Sequence, residues 1–359
     1  MIHGGDVYTD GILKGKELID YSSNINPLGV PQGFKENILK ALDALTRYPD
    51  IKYRSLKEDL ANYNNINKEY FILGNGAAEI IDLTISQEQS ILIIAPSFGE
   101  YECSARKNNC RIIYSYLRET YIENIGYTLD YDYEDIMNKT KEVDAIVIGN
   151  PNNPNGEIIK KDKFIEILSY CNDNKKRVII DEAFIEFIGD MSKSLINYTE
   201  KYSCLVIIRA LTKFYAMPGI RFGYGICSDK KYLEEIRKKQ LPWNINTFAE
   251  FAVSEVLRDS DYINKSIKWI KEERKFFLAE LKKIELFEKV YETSGNFVLC
   301  KLKNLSDEKL YELTLQRGLL VRKCGSYEGL NNRYIRLAIK DRELNLKVLQ
   351  IFKSIEGEV

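Results

Sequence analysis

Four short stretches of the chain carry residue types that can supply an amine, clamp an anion or hold a cation. Lys213 stands in Arg209-Ala210-Leu211-Thr212-Lys213-Phe214-Tyr215, among apolar and aromatic neighbours. Burial there would lower the amine's pKa and make it a nucleophile. Arg221 lies eight residues further on and offers a two-pronged clamp for phosphate. A lone lysine near an arginine is usually a solvated surface pair, so these two have weight only in company. Upstream, Asp181-Glu182-Ala183-Phe184 ends an apolar run. Its first acid could cap a helix or hold a cationic ring nitrogen. Asn150-Pro151-Asn152-Asn153-Pro154-Asn155-Gly156 follows another apolar run. Pro and Asn make a turn there in any case, but it falls at a strand's carboxyl end, where ligands of α/β sheets sit. Gly74-Asn75-Gly76-Ala77-Ala78-Glu79 precedes a helical stretch. Its small residues admit a ligand close to the backbone and its free N–H groups attract an anion, although an ordinary helix cap has the same composition.

Elements able to position these residues are visible in the hydrophobic pattern. Short β-rich runs at 90–95, 111–117, 144–149, 177–181, 204–208 and 222–227 alternate with helix-like stretches such as 77–86 and 161–172. That alternation predicts an α/β unit around a mainly parallel sheet. Residues 1–30, rich in Gly, Asn, Ser and Pro, read as an N-terminal arm, and 31–245 as a large domain. Residues 246–284 read as a helical connector, and 285–359 as a smaller α+β domain against which the arm packs. The smaller unit is expected to hold strands at 297–302, 319–322 and 334–338 and helices at 307–316 and 342–355.

Composition narrows the chemistry. Lys+Arg at 52 against Asp+Glu at 53 leave no field to recruit nucleic acid or an anionic membrane. The seven cysteines form no CxxC pair, which argues against a zinc knuckle or a disulfide framework. The N-terminus lacks a signal-peptide pattern and the apolar runs are too short to span a bilayer, so a cytoplasmic location is expected. His3 is the single histidine of the chain. Ser-His-Asp hydrolysis, His-rich metal sites and most imidazole bases would all have to use it, and no metal is expected. Acid–base work falls to lysine, carboxylates or a cofactor.

Taken together, the four stretches resemble the fold-type-I pyridoxal-phosphate enzymes in order and spacing: Gly-rich loop, Asn-Pro turn, strand-end Asp, Lys, then Arg. The separations are 28 residues from Asn153 to Asp181, 32 from Asp181 to Lys213, and 8 from Lys213 to Arg221. The resemblance spans essentially the whole chain. It implies a mainly parallel large-domain sheet with helices on both faces, plus a smaller α+β domain. It further implies that Lys213 carries pyridoxal 5'-phosphate as a Schiff base and then shuttles protons. Asp181 would pair with the pyridine N–H so that the ring accepts electrons. Asn153 would donate to the ring's 3-oxygen, and Phe98 would stack on the ring face, with Tyr101 as its competitor. Gly76, Ala77, Ala78 and Arg221 would hold the phosphate. Tyr48, in Arg47-Tyr48-Pro49-Asp50, resembles the family's tyrosine that reaches the phosphate of the other subunit, which implies a homodimer. Arg336 looks like the arginine that binds a substrate carboxylate, and Arg322 is a second anion hook. Two positions depart from the family's habit: Phe184 replaces a common Tyr, and Ala210 a common Ser or Thr. Each change removes a hydrogen bond worth roughly 1 kcal/mol net, and leaves Thr212 or the loop amides to serve the phosphate.

Two subfamilies compete, both acting on small phosphorylated amino acids or amines. Arg47-Tyr48-Pro49-Asp50, Asp181-Glu182-Ala183 and Gly219-Ile220-Arg221 resemble histidinol-phosphate aminotransferase. His3-Gly4-Gly5 and Asp20-Tyr21-Ser22-Ser23-Asn24-Ile25-Asn26-Pro27 resemble the opening of L-threonine-O-3-phosphate decarboxylase. The latter resemblance implies an arm that covers the substrate, with His3 and Asn26 as contacts. Decarboxylation is the preferred expectation and transamination with 2-oxoglutarate the alternative. A binding protein that kept the fold and lost catalysis is a third reading, against which the retention of Lys213, Asp181, Asn153 and Arg221 argues.

Overall fold

The computed structural model describes residues 4–358, so His3 lies outside the described residues. Seven apolar runs form its central sheet. They are β1 (Phe71–Gly74), β2 (Ser90–Ala95), β3 (Arg111–Tyr116), β4 (Ala145–Gly149), β5 (Arg177–Asp181), β6 (Leu205–Ala210) and β7 (Gly223–Ile226). Their spatial order is β1-β7-β6-β5-β4-β2-β3. Strand β7 runs antiparallel to both its neighbours and the other pairings are parallel. Strands β2, β4 and β6 are buried at every residue. That is why they read as continuous apolar runs: helices cover both faces of the sheet. Side-chain alternation sends Leu92, Ile94, Ile146 and Ile148 to one core, and Ile91, Ile93, Ala145 and Val147 to the other.

A second, antiparallel sheet is built from β8 (Phe287–Val290), β9 (Phe297–Leu302), β10 (Arg322–Lys323) and β11 (Tyr334–Ala338), in the order β8-β9-β11-β10. The run 319–322, expected as one strand, divides at Val321. Leu319–Leu320 pairs in parallel with Ile19–Asp20 of the arm, while Arg322–Lys323 joins β11. One apolar run thus serves two partners, which no periodicity within it reveals. The stretch 246–284 holds two helices, Thr247–Val256 and Ser260–Leu281. Asp259 caps the second, its side chain accepting from the Tyr262 N–H. The first packs on the helix Gln32–Asp43. No helix among the described residues is long and apolar enough to cross a membrane.

The arm is clamped to the smaller sheet by Tyr21. Its N–H donates to Leu320 O, its carbonyl accepts from Ala338 N–H, and its buried hydroxyl donates to Asn345 Oδ1 at 2.8 Å. Within the large sheet, a buried ion pair braces the carboxyl ends of two central strands. Arg209 of β6 meets Glu182, just past β5, with N···O at 3.0 Å, and both side chains are fully buried. Ser194 Oγ and the Leu195 N–H also donate to Glu182. Removing one member of such a pair strands a charge in the core at a cost of about 3–5 kcal/mol, whereas a well-packed apolar replacement of both is far milder. Urea unfolding is therefore expected to show Glu182→Ala destabilised by about that amount, and Arg209→Met with Glu182→Leu much less so. Equal losses would mean that the pair's charge is irrelevant.

Candidate active site

Strand β6 ends at Ala210 and the chain turns directly into a single helical turn, Leu211–Phe214. Leu211 O and Thr212 O accept from the nearby Tyr215 and Met217 N–H groups, and the last carbonyls of the turn draw further donors from afar. Asn26 N–H donates to Lys213 O at 3.2 Å. Asn26 Nδ2 donates to Phe214 O and to Ser266 Oγ, both at 2.8 Å, and the Tyr262 hydroxyl also reaches Phe214 O. The turn so fixed places Lys213 in the wall of a cavity of about 260 Å³. None of the hydrogen bonds or ion pairs among the described residues engages its Nζ. Burial, reinforced by the positive charges of Arg336 and Arg221, pushes its pKa down to about 8.

One end of the cavity suits a phosphate. The helix Ala77–Ile85 begins there after Gly76, and no side chain caps it. Its first N–H groups and the helix dipole therefore face the cavity end as an anion site. Gly76 has φ 90°, and a Cβ on it would lie 2.5 Å from Arg221 Nη2, so only glycine lets the guanidinium close on the helix start. Arg221 itself has φ 56°, a left-handed conformation that costs a non-glycine residue on the order of 1 kcal/mol or more. Ala78, Ala210 and the buried Thr212 complete this end.

The opposite wall carries the cavity's one acid among the described residues. Asp181 ends β5; its Oδ2 accepts from the Tyr101 hydroxyl at 2.8 Å and its Oδ1 from the Ala183 N–H at 2.9 Å. Burial pushes its pKa up and the two hydrogen bonds oppose that rise. The contact assigns Tyr101 to the carboxylate. Phe98, whose ring meets Tyr101 edge-on at 5.8 Å, also lines the cavity. Phe184 packs edge-on against Phe297 at 5.2 Å, so its lost hydroxyl is replaced by an apolar contact.

The third side comes from β10, β11 and the arm. Arg322 and Arg336 are paired residues on neighbouring strands, and both are buried. Arg336 Nη1 donates to Asn153 Oδ1 and Nη2 to Ser22 O, each at 2.6 Å, and its Nε is buried without a partner. Gly4, Ser22, Ser23 and Asn24 of the arm close the cavity. The structure thus gathers Lys213, Gly76, Ala77, Ala78, Phe98, Asn153, Asp181, Thr212, Arg221, Arg322 and Arg336 around one space. Two expected residues stand elsewhere. Asn26 does not line the cavity, because its amide is spent on Phe214 and Ser266 behind Lys213. Tyr48 is 75 % exposed and stacks on Trp243 at 4.6 Å, outside the cavity of its own chain. Sequence reasoning missed Asn24, which lines the cavity, is 3 % exposed and has an unpartnered Oδ1. It lies two positions from Asn26 in a polar stretch with no periodicity to separate them.

Comparison with known proteins agrees with this geometry. Residues 16–352 match the family Aminotransferase class I and II. A protein of Caldanaerobacter subterraneus subsp. tengcongensis, provisionally named a threonine-phosphate decarboxylase, is 37 % identical over 359 residues, covering 99 % of this chain and 94 % of that one. The threonine-phosphate decarboxylase of Salmonella typhimurium is 31 % identical, covering 98 % of this chain and 96 % of that one. The crystal structure of histidinol-phosphate aminotransferase from Clostridium acetobutylicum is 49 % identical with a TM-score of 0.91, covering 95 % of this chain and 100 % of that one.

The amine's setting has a measurable consequence. The neutral form is the nucleophile, so uptake of pyridoxal phosphate by cofactor-free protein is expected to rise with pH and level off above about 8. Arg336→Met removes a positive neighbour and moves that midpoint upward. A wild-type midpoint near the ordinary lysine value of 10.5 would contradict the burial.

Proposed function

The chain belongs to the class I and II aminotransferases, and from that premise we propose that this pyridoxal-phosphate enzyme decarboxylates a small phosphorylated amino acid of the O-phosphothreonine type. The single observation that carries this reading is the pair of buried arginines, Arg322 and Arg336, facing the same cavity as Lys213. A substrate with both a carboxylate and a phosphate uses two such hooks in the reacting molecule itself, whereas histidinol phosphate has no carboxylate and a transaminase would use both only for its 2-oxoglutarate partner. The chain's resemblance to a decarboxylase and to a provisionally named one, over 96 % and 94 % of their lengths, supports the same choice.

The residues fit the cofactor. The glycine-floored helix start with Arg221 takes a phosphate monoester, and the buried Asp181 gains a counter-charge from a protonated ring nitrogen. When bound, pyridoxal phosphate supplies a sink for the electron pair released at the substrate's Cα. The side chains do the rest. Arg336 and Arg322 orient the substrate, so that the carboxylate bond to Cα stands where it can break and carbon dioxide departs. Asn24, with an unpartnered amide oxygen, and Ser23 close the arm over it and limit water. Lys213 returns a proton to Cα, a task suited to an amine whose pKa sits near 8. Asn153, its Oδ1 held by Arg336, keeps its amide N–H groups for the ring's 3-oxygen.

The homodimer belongs to the same proposal. Leu39, Leu42, Leu45, Ile51 and Leu241 are exposed around the surface that carries Tyr48 and Trp243. Apposition of two such surfaces buries them and brings Tyr48 toward the phosphate end of the other subunit's cavity. A second reading, transamination of histidinol phosphate, is favoured by the identity to the Clostridium acetobutylicum enzyme.

Two assays on the holoenzyme separate the readings. O-Phosphothreonine is expected to release carbon dioxide, and histidinol phosphate with 2-oxoglutarate to give little glutamate. Glutamate without carbon dioxide would overturn decarboxylation in favour of transamination.

A further inference from the structure

Asp181 is 8 % exposed, and its stretch of backbone is fixed on both sides. Asn150 N–H donates to Asp181 O at 2.8 Å, and Glu182 N–H donates to Ile208 O at 2.7 Å. Burial favours the neutral carboxylic acid, and the negative charge of Glu182 adds to that preference. Arg209 does not relieve it, because its guanidinium is committed to Glu182. Two hydrogen bonds act the other way, from the Tyr101 hydroxyl first and then from the Ala183 N–H. The second is a backbone donor. The first is a side chain that the sequence could have omitted. Tyr131, the other tyrosine beside Asp181, gives its hydroxyl to Gly149 O at 2.5 Å.

Tyr101 is held firmly. It lies in the helix Glu100–Lys107, is 2 % exposed, and packs in the same core as Ile91, Ile93 and Val147. Its N–H donates to Phe98 O at 3.2 Å, so one turn delivers Phe98 to the cavity and Tyr101 to the acid. The direction of its hydrogen bond is fixed as well. Burial and the charge of Asp181 hold the Tyr101 hydroxyl well above the ordinary tyrosine pKa, and an ionised carboxylate can only accept. Carboxylate oxygens each have room for more than one donor. The two bonds therefore leave Asp181 able to take a third partner from the cavity that it lines.

A buried carboxylate and a ring nitrogen can share one proton in two ways. With the proton on nitrogen the pair is ionic; with the proton on oxygen both groups are neutral, and burial favours that version. The protonated ring is the stronger electron acceptor. We propose that Tyr101 is a positioning residue whose hydroxyl holds Asp181 as the carboxylate, so that the shared proton stays on the nitrogen of a bound pyridine ring. The inference rests on the reading of Asp181 as the partner of that nitrogen. It is independent of which bond at Cα the enzyme breaks. A neutral donor suits the task, because it strengthens the carboxylate through a charge-assisted bond. A lysine or arginine in its place would do the same but cancel the charge that the ring needs.

The test is nitrogen NMR of holoenzyme carrying pyridoxal phosphate labelled with nitrogen-15 in the ring, since that resonance reports whether the nitrogen is protonated. Wild type is expected at the protonated position and Asp181→Asn at the unprotonated one. Tyr101→Phe keeps the ring that packs on Phe98 and removes one oxygen. Its resonance is expected to move from the wild-type position toward that of Asp181→Asn. A second measurement needs no cofactor: the carboxyl carbon-13 resonance of Asp181, identified by its loss in Asp181→Asn, is followed against pH in cofactor-free protein. Tyr101→Phe is expected to raise the proton affinity of that carboxylate by about tenfold, the effect of losing a hydrogen bond to a charged group. A purely structural role for Tyr101 would leave both readouts at their wild-type values and overturn the proposal. Should Tyr101→Phe fail to retain the cofactor, an unchanged carbon-13 titration overturns it and a raised one supports it. A nitrogen resonance that is the same in wild type and Asp181→Asn would remove the reading of Asp181 itself, and this inference with it. A shift in Asp181→Asn with none in Tyr101→Phe would leave that reading standing and sink the role of Tyr101 alone.

Discussion

Four basic side chains, Lys213, Arg221, Arg322 and Arg336, share a cavity whose only lining acid among the described residues is Asp181. Concentrating like charge where water is scarce is unfavourable, and Lys213 shows both effects: burial first, then the charges of Arg336 and Arg221, depress its pKa. The arrangement makes physical sense only with anions bound. Anionic ligands would supply the charge that the cavity lining lacks. Ligands that bind the folded state and not the unfolded chain also stabilise it, so the cavity's charge imbalance couples folding to occupancy.

The fold answers this constraint with neutral acceptors brought from distant parts of the chain. Arg336 is held by Ser22 O from the arm, Asn153 Oδ1 from the loop after β4, and the Tyr327 hydroxyl from the turn after β10. Each accepts without cancelling charge. The arm can take part because its Ile19–Asp20 segment pairs with Leu319–Leu320 and Tyr21 bonds on to Ala338. At the helix start, Gly76 gives up a side chain and Arg221 accepts a left-handed backbone so that the guanidinium meets the first turn. Local cost is concentrated where ligands bind, and the buried strands beneath supply the stability that tolerates it.

Much of this was legible in the residues because buried parallel strands leave a plain signature. Runs such as 91–95 and 204–208 are apolar throughout, and the chemistry-bearing residues stand where such runs stop, as Asp181 does at the end of β5. What was not legible depends on partners remote in sequence. Asn26 and Asn24 are alike in type and setting, and only Ser266 and the Phe214 carbonyl decide which of them turns away from the cavity. The run 319–322 is uniform to the eye, yet its two halves answer to the arm and to β11. Tyr101 is tied to the Asp181 carboxylate, 80 positions away, a partner that no local pattern around Phe98 and Tyr101 reveals. Tyr48 is displayed on the surface against Trp243, outside the cavity of its own chain.

The central claim is that one amine, Lys213, is set apart from the chain's other lysines by its cavity. The most direct measurement is borohydride reduction of the holoenzyme, followed by proteolysis and mass spectrometry of the peptides. The account predicts a phosphopyridoxyl group on the peptide containing Lys213. Lys340 is the informative competitor, since it too is largely buried near Lys213, but its Nζ already donates to Ile25 O at 3.1 Å. Label on Lys340, or spread over surface lysines with Lys213 unmodified, would contradict the account.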